Sequence, residues 1–368
     1  MGRRPRVRSV PRAVATAVLI TLVAGGGAAV AAQRVRASPG LPVTAPDRLI
    51  ASVLSALAHP RPVSGQVRAR IDLGLPALPQ QGPQPNGPAG LLAVLSGDHR
   101  LRLWASADGV RIEDFLPLSE RALYVDRAGA WAWDASTYTA VHLAAFPASW
   151  PFPSPSAASH AEASQLLQLF DPLALARQAL EAVSPTTSVQ VGRSVRTAGR
   201  PAYVLVLTPR QAGTLVGHVD VAVDAATRVP LSAAVFARGS GAPSLSAAFS
   251  SVSFGPIDPA VYRFSPPAGA KVEEPARGTR PTGLGANTSS DLAGAVRVFG
   301  TAWTTVVAVR VPSSVGGQDV GDGLSVGGLL PFTGPLFSLR LVSRGDHDWL
   351  VAGAVTQAAL ARVEPDLP

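Results

Sequence analysis

The chain of 368 residues has no cysteine. This excludes a disulfide-stapled scaffold, zinc–thiolate sites, iron–sulfur clusters, a cysteine nucleophile and a lipid-modified cysteine anchor. Lysine is almost missing too. Of 32 basic residues only Lys271 is a lysine, and with the abundant Ala, Gly, Pro and Val this marks a GC-rich coding sequence rather than selection for guanidinium chemistry. Charge of either sign is sparse, at 15% of residues against 47% hydrophobic, which suffices for one large core or two unequal ones. Acid is absent from the first 36 residues, where Arg3, Arg4, Arg6, Arg8, Arg12, Arg34 and Arg36 lie. Setting those seven aside leaves 25 basic against 24 acidic residues in the rest of the chain. The formal charge of +8 is therefore local. A nucleic-acid binder needs basic charge spread over a folded surface, so no nucleic-acid partner is expected.

What is present begins with an export element. Residues 13–32, AVATAVLITLVAGGGAAVAA, follow the arginine-rich start and carry no charge. The basic start, the apolar stretch around Val18–Val23 and the small residues Ala29-Val30-Ala31 have the three-part design of a secretory signal, with cleavage near Ala32 or Gln33. A retained N-terminal membrane anchor is the alternative for residues 1–36. Gly25, Gly26 and Gly27 weaken it as a spanning helix. Either way, positive charge kept inside puts the remainder on the outer face of the cytoplasmic membrane or in the cell envelope.

Beyond a Pro-rich spacer, Asp47 is expected to cap a helix with apolar positions Leu49, Ile50, Val53, Leu54 and Leu57, ended by His59-Pro60. The run Val67–Leu73 alternates apolar and charged, as in a sheet covered on one side. Residues 76–90, PALPQQGPQPNGPAG, form a long loop. Alternating runs at His99–Leu103, Gly109–Phe115, Ala122–Val125, Ala130–Trp133 and Thr137–Leu143 follow, separated by hairpin-type turns such as Asp108-Gly109. Asp171-Pro172 opens a second helix, with Leu173, Ala176, Leu180 and Val183 as its buried stripe. Strand patterns resume at Thr187–Val191, Tyr203–Thr208, Gly217–Asp224, Leu231–Ala237 and Leu245–Phe254. Two antiparallel meanders separated by helices predict an α+β fold, a single curved sheet with helices on one face. Residues 271–289 are a linker between a domain at 45–270 and a small C-terminal domain or extension at 290–368. The latter has strand-like runs in Asp291–Val311 and Leu336–Val355, a Gly-rich loop at 315–328 and a terminal helix at Thr356–Val363.

Catalytic signatures are missing. There is no G-x-S-x-G, phosphate loop or H-E-x-x-H, and none of the six histidines has an i+4 histidine partner. His218 and Asp220 share a strand face, where a metal or acid–base pair competes with the plainer reading of a solvated face. Asp319 and Asp322-Gly323 lack the alternating oxygen ligands of a calcium loop. The chain is expected to be non-enzymatic, with no catalytic residue, no metal site and no cofactor. The aromatic positions carry more information. Trp131 and Trp133 lie two apart on one strand face, with Trp104, Tyr138 and Phe115 on neighbouring strands. They belong either to a core under the helices or to the lining of an apolar cavity between sheet and helices that accepts an acyl chain. Leu49, Val53, Leu101, Leu103, Trp104, Phe115, Trp131 and Trp133 are the candidate lining residues.

The segments DRLIASVLSALAHPRPVSGQVRARIDLGLPALP at 47–79, DRAGAWAWDASTYTAVHL at 126–143, DPLALARQALEAVSPTTSVQVGRSV at 171–195 and RPAYVLVLTPRQAGTLVGHVDVAVDAATRVPLSAAVFA at 200–237 resemble the LolA-like superfamily. They resemble exported actinobacterial proteins described as LolA-like or as having a MucB/RseB N-terminal domain. The resemblance implies an unclosed antiparallel β-barrel wrapping helices around a hydrophobic cavity. It also implies one of two roles. The first is a lipid- or lipoprotein-binding protein that holds acyl chains. The alternative is an RseB-like envelope-stress regulator that binds an anti-sigma factor or another membrane-bound partner.

Overall fold

The computed structural model describes residues 40–59, 61–72, 74, 97–116, 119–144, 185–274, 296–311, 319–321, 324–325, 330–344 and 347–367. The residues of the expected export element, 76–90 loop and second helix opened by Asp171-Pro172, together with Asp322-Gly323 and most of the expected 271–289 linker, lie outside them.

Helix α1 spans Pro46–Ala58. Pro46 sits in the first turn, where a missing N–H costs nothing. The expected cap is corrected: the N-cap is Ala45, with no side-chain cap, and Asp47 lies in the first turn, where its charge faces the positive end of the helix dipole. Leu49, Ile50, Val53 and Leu57 are buried, whereas Leu54 points away and is 42% exposed.

The strands of the first meander are β1 (Val63–Ile71), β2 (Gly97–Ser106), β3 (Gly109–Leu116), β4 (Ser119–Asp126), β5 (Gly129–Asp134) and β6 (Thr139–Ala144). Those that follow are β7 (Thr187–Val191), β8 (Val195–Thr197), β9 (Arg200–Pro209), β10 (Val216–Asp224), β11 (Pro230–Ala237), β12 (Pro243–Phe254) and β13 (Lys271–Glu273). All thirteen join one open sheet in the order β13-β6-β5-β4-β3-β2-β1-β12-β11-β10-β9-β7, with β8 on β9. The two meanders are sewn together by β1 and β12, antiparallel from Val63↔Phe254 to Ile71↔Leu245. Register shifts at Gln66/Val67, at Val216/His218 and Ala222/Val223, and at Val235/Phe236 put bulges in the middle of this sheet. Each bulge bends its strand and adds twist, the physical source of a curved, unclosed sheet.

One face of the sheet is apolar through both meanders. Val63, Val67, Ala69 and Ile71 of β1 share a core with Leu101, Leu103, Ile112, Leu123 and Val125 on one side. Leu205, Leu207, Val221, Leu231, Ala247 and Phe249 join it on the other, and Leu49, Ile50, Val53 and Leu57 of α1 pack against it. This is the inner face. The alternation in β1 behaves as its sequence predicts, with Arg68 exposed and Arg70 half-buried on the outer face. Val53→Ala is expected to cost about 2 kcal/mol, at roughly 0.8 kcal/mol per buried methylene plus a small cavity, read from the shift in a urea unfolding midpoint.

A second sheet of five strands follows, made of β14 (Val296–Phe299), β15 (Val306–Val311), β18 (Phe332–Thr333), β19 (Ser338–Arg344) and β20 (His347–Gly353), in the order β14-β15-β20-β19-β18. Asp319–Gly321 (β16) and Leu324–Ser325 (β17) pair separately. Helix α2 (Gln357–Ala361), capped by Thr356, buries Leu360 against Val306, Val342, Trp349 and Val351. This sheet is tied to the segment between β9 and β10. Leu215 N donates to Ala354 O at 2.8 Å and Thr356 N to Gly213 O at 3.0 Å. Trp303 Nε1 donates to Thr187 Oγ1 at 2.8 Å. Trp303, Leu336, Phe337 and Ala354 belong to the core of the large sheet, so its inner face is closed at this end by the C-terminal region.

Candidate functional site

The register decides which side chains share a face. Leu103 lies opposite Ile112, Ile112 opposite Leu123, and Leu123 opposite Ala132. Ala130 and Ala132 therefore face inward with Leu101 and Leu103, and Trp131 and Trp133 face outward. Trp104 lies opposite Arg111, Arg111 opposite Tyr124, and Tyr124 opposite Trp131, so Trp104 is also on the outer face. Of the eight candidate lining residues, Leu49, Val53, Leu101 and Leu103 come together inside. Trp104, Phe115, Trp131 and Trp133 do not join them, and Phe115 is 38% exposed. The expectation that the tryptophans face the helices is corrected by this register.

The outer aromatics have their own cover. After β12 the chain crosses this face, and Phe264 packs on Tyr124, Trp131 and Trp133 with ring centroids at 4.8, 5.6 and 5.9 Å. Arg111 lies between Trp104 and Tyr124, its guanidinium 5.0 and 4.7 Å from the two rings, and donates to Val261 O at 3.2 Å and to Glu113. Gly109 leaves room for this crossing, because a Cβ there would lie 2.8 Å from the Tyr262 ring. Burial pushes the Tyr124 and Tyr262 hydroxyls above their ordinary pKa. This cluster is a second core with Ala122 and Ala140.

The inner face of β2–β5 is divided lengthwise. Leu103, Ile112, Leu123 and Ala132 make one transverse row, and Ala105, Val110, Val125 and Ala130 the next, all apolar. Nearer the C-terminal sheet the row changes character. Asp114 lies opposite Arg121, Arg121 opposite Asp134, and His99 is one pair further along β2. His99 Nδ1 is 3.0 Å from Asp114 Oδ2, with 6% and 4% of the side chains exposed. Arg121 Nε donates to Asp134 Oδ2 at 3.0 Å. Burial pushes the Asp134 carboxyl up, but donation from Ser136 and the Arg121 charge outweigh it and hold the group below the usual carboxylate range. Nothing in the sequence marks this row. His99 and Asp114 are 15 residues apart, and only the β2–β3 register joins them.

The other readings are modest. His218 Nε2 is 3.8 Å from Asp220 Oδ1, and the His218 ring stacks on Phe236 at 4.2 Å. Burial raises the Asp220 carboxyl pKa, against the pull of His218. Among the described residues no group of three or more His, Asp or Glu is arranged to hold a metal. An open cleft of about 490 Å³ lies at the opposite end of the sheet, between Arg61, Ser106, Asp108, Phe254 and Ile257. Its mixed lining is unlike an acyl-chain cavity.

No family model matches the chain, and no curated protein matches it. Among solved structures it is similar to MucB at 13% identity, over 87% of this chain and 96% of that one, with a TM-score of 0.42. It is similar also to the complex structure of Pseudomonas aeruginosa MucA/MucB, at 15% identity over 86% and 95% with a TM-score of 0.43. A LolA superfamily protein from Nitrosomonas europaea aligns at 10% identity over 60% and 99% with a TM-score of 0.22. The likeness concerns the fold alone.

Proposed function

We propose that this chain is an exported, non-enzymatic binding protein that holds the acyl chains of a lipid or lipoprotein against the inner face of its large sheet, close to the membrane. The observation that carries this reading is the continuity of that face. Apart from the row at Asp114 it is apolar through both meanders, it belongs to a sheet whose terminal strands among the described residues are β13 and β7, and α1 packs on it. Burial of acyl surface yields roughly 25 cal/mol per Å², so about 300 Å² yields some 7 kcal/mol with no charged group engaged.

Native mass spectrometry of the full chain from its own host is expected to release bound lipid. The lipid-stripped protein is expected to bind N-phenyl-1-naphthylamine, a neutral apolar dye, with a rise in dye fluorescence that added monoacylglycerol reverses. Lipid-free protein that also fails to bind the dye would refute the reading.

A second reading is regulatory binding of an envelope protein such as an anti-sigma factor. It is favoured by β14, which among the described residues is a terminal strand of the C-terminal sheet and carries the exposed Val298, since a terminal strand can accept an added one. Recovery of a membrane-spanning protein crosslinked at β14 would favour it over lipid carriage.

A further inference from the structure

We propose that the row of His99, Asp114, Arg121 and Asp134 seats the polar head of the bound amphiphile, and that it selects heads that donate hydrogen bonds, such as hydroxyl or ammonium groups. This deepens the acyl-binding reading and rests on it. Three observations support the assignment.

The first is an unmet acceptor. Asp114 is 3% exposed, and its Oδ1 is buried with no hydrogen-bond partner. Its Oδ2 meets His99, and the neighbouring Arg121 directs Nε to Asp134 instead. A buried carboxylate oxygen without a donor is costly, and a ligand bringing a donor would offset that cost.

The second is position. Moving away from the row, the next two transverse rows of the same face are wholly apolar, so a head at Asp114 places its chain along Ile112, Leu123 and Val110. One face thus offers an acceptor and an adjoining strip of hydrocarbon, the two halves of an amphiphile site.

The third is access. Arg121 and Asp134 have side chains 31% and 25% exposed, whereas His99 and Asp114 are closed off, so the row runs from solvent into the interior. The Arg121 guanidinium is partly neutralised by Asp134, and Asp114 adds negative charge, so anionic heads are disfavoured.

The test uses the full chain and three ligands with one 16-carbon acyl chain, each displacing N-phenyl-1-naphthylamine. They are monopalmitoylglycerol, with hydroxyl donors, methyl palmitate, with none, and palmitate, an anion. Monopalmitoylglycerol is expected to bind at least tenfold more tightly than methyl palmitate, with palmitate weakest. Asp114→Leu is expected to abolish the preference, and the near-isosteric Asp114→Asn to reduce it with less risk to folding. Equal affinities in the wild-type protein, or a preference untouched by both substitutions, would overturn the head-group assignment and leave acyl binding standing. Failure of all three ligands to displace the dye would overturn the acyl-binding reading and the head-group site with it.

Discussion

Trp303→Ala is expected to destabilise the protein by about 3–5 kcal/mol, the usual cost of truncating a buried tryptophan. Trp303 stands before β15, yet its side chain, 6% exposed, lies in the core of the large sheet rather than that of its own. Its indole donates to Thr187 at the start of β7, and its backbone N–H donates to Gln211 Oε1 at 3.0 Å. Alanine would remove the indole hydrogen bond and leave a cavity where the two sheets meet. Against a typical total of about 5–15 kcal/mol, the loss is a large share of stability. Urea unfolding followed with hydrogen exchange measures it. The expected result is a lower midpoint, with β15, β19 and β20 losing protection before β1–β5. Trp349→Ala, inside the core of the C-terminal sheet, is the comparison. A Trp303 variant with wild-type stability would show that the C-terminal sheet does not brace the large one.

Asp224→Ala is the second large effect, expected at about 3 kcal/mol near neutral pH. Asp224, 1% exposed at the end of β10, accepts from Arg200 Nε at 2.5 Å and Nη2 at 3.1 Å. It also accepts from the backbone N–H groups of Ala226 and Thr227 and from the Thr227 hydroxyl. One carboxylate thus closes the β10–β11 turn and fixes it to β9. Burial alone would raise its pKa, but the donors from Arg200 and Thr227 outweigh burial and the net shift is downward. A carboxyl whose folded pKa lies below its unfolded value of about 3.9 stabilises the fold above that value. The contribution is lost as pH falls through the folded pKa. The wild-type protein is therefore expected to lose stability steeply below about pH 4, and the variant to show a shallower acid limb because this contribution is already gone. Parallel acid limbs in thermal melts at pH 3 to 7 would contradict the role assigned to this side chain.

Local order was legible in the sequence because it is set by near neighbours. The period-two pattern of Val67–Leu73 and the runs around Gly109, Ala130 and Thr187 mark real strands, and Leu49, Val53 and Leu57 mark the buried side of α1. Boundaries moved by a few residues, as where β1 begins at Val63 and β9 at Arg200. The short strands β8 and β13 carry too little pattern to be seen. The candidate site was half legible. Leu49, Val53, Leu101 and Leu103 do share the inner core, while the tryptophans, whose size suggested cavity or core beneath the helices, lie on the other side.

By itself, the sequence determined that the chain beyond residue 36 is nearly neutral, rich in alternating strands, and without cysteine chemistry or a catalytic motif. Alternation establishes that a strand has two faces, but it does not say which face will be covered, or by what. That was decided by contacts between distant residues. Leu123 opposite Ala132 turns Trp131 outward, Phe264 arrives from beyond β12 to cover it, and His99 meets Asp114 across a hairpin. The physical reason is the period of two. A strand's own pattern is satisfied equally by either face, and only the register and the segments that pack on each side distinguish a core of tryptophans from an inner wall of leucines with a polar row at its end.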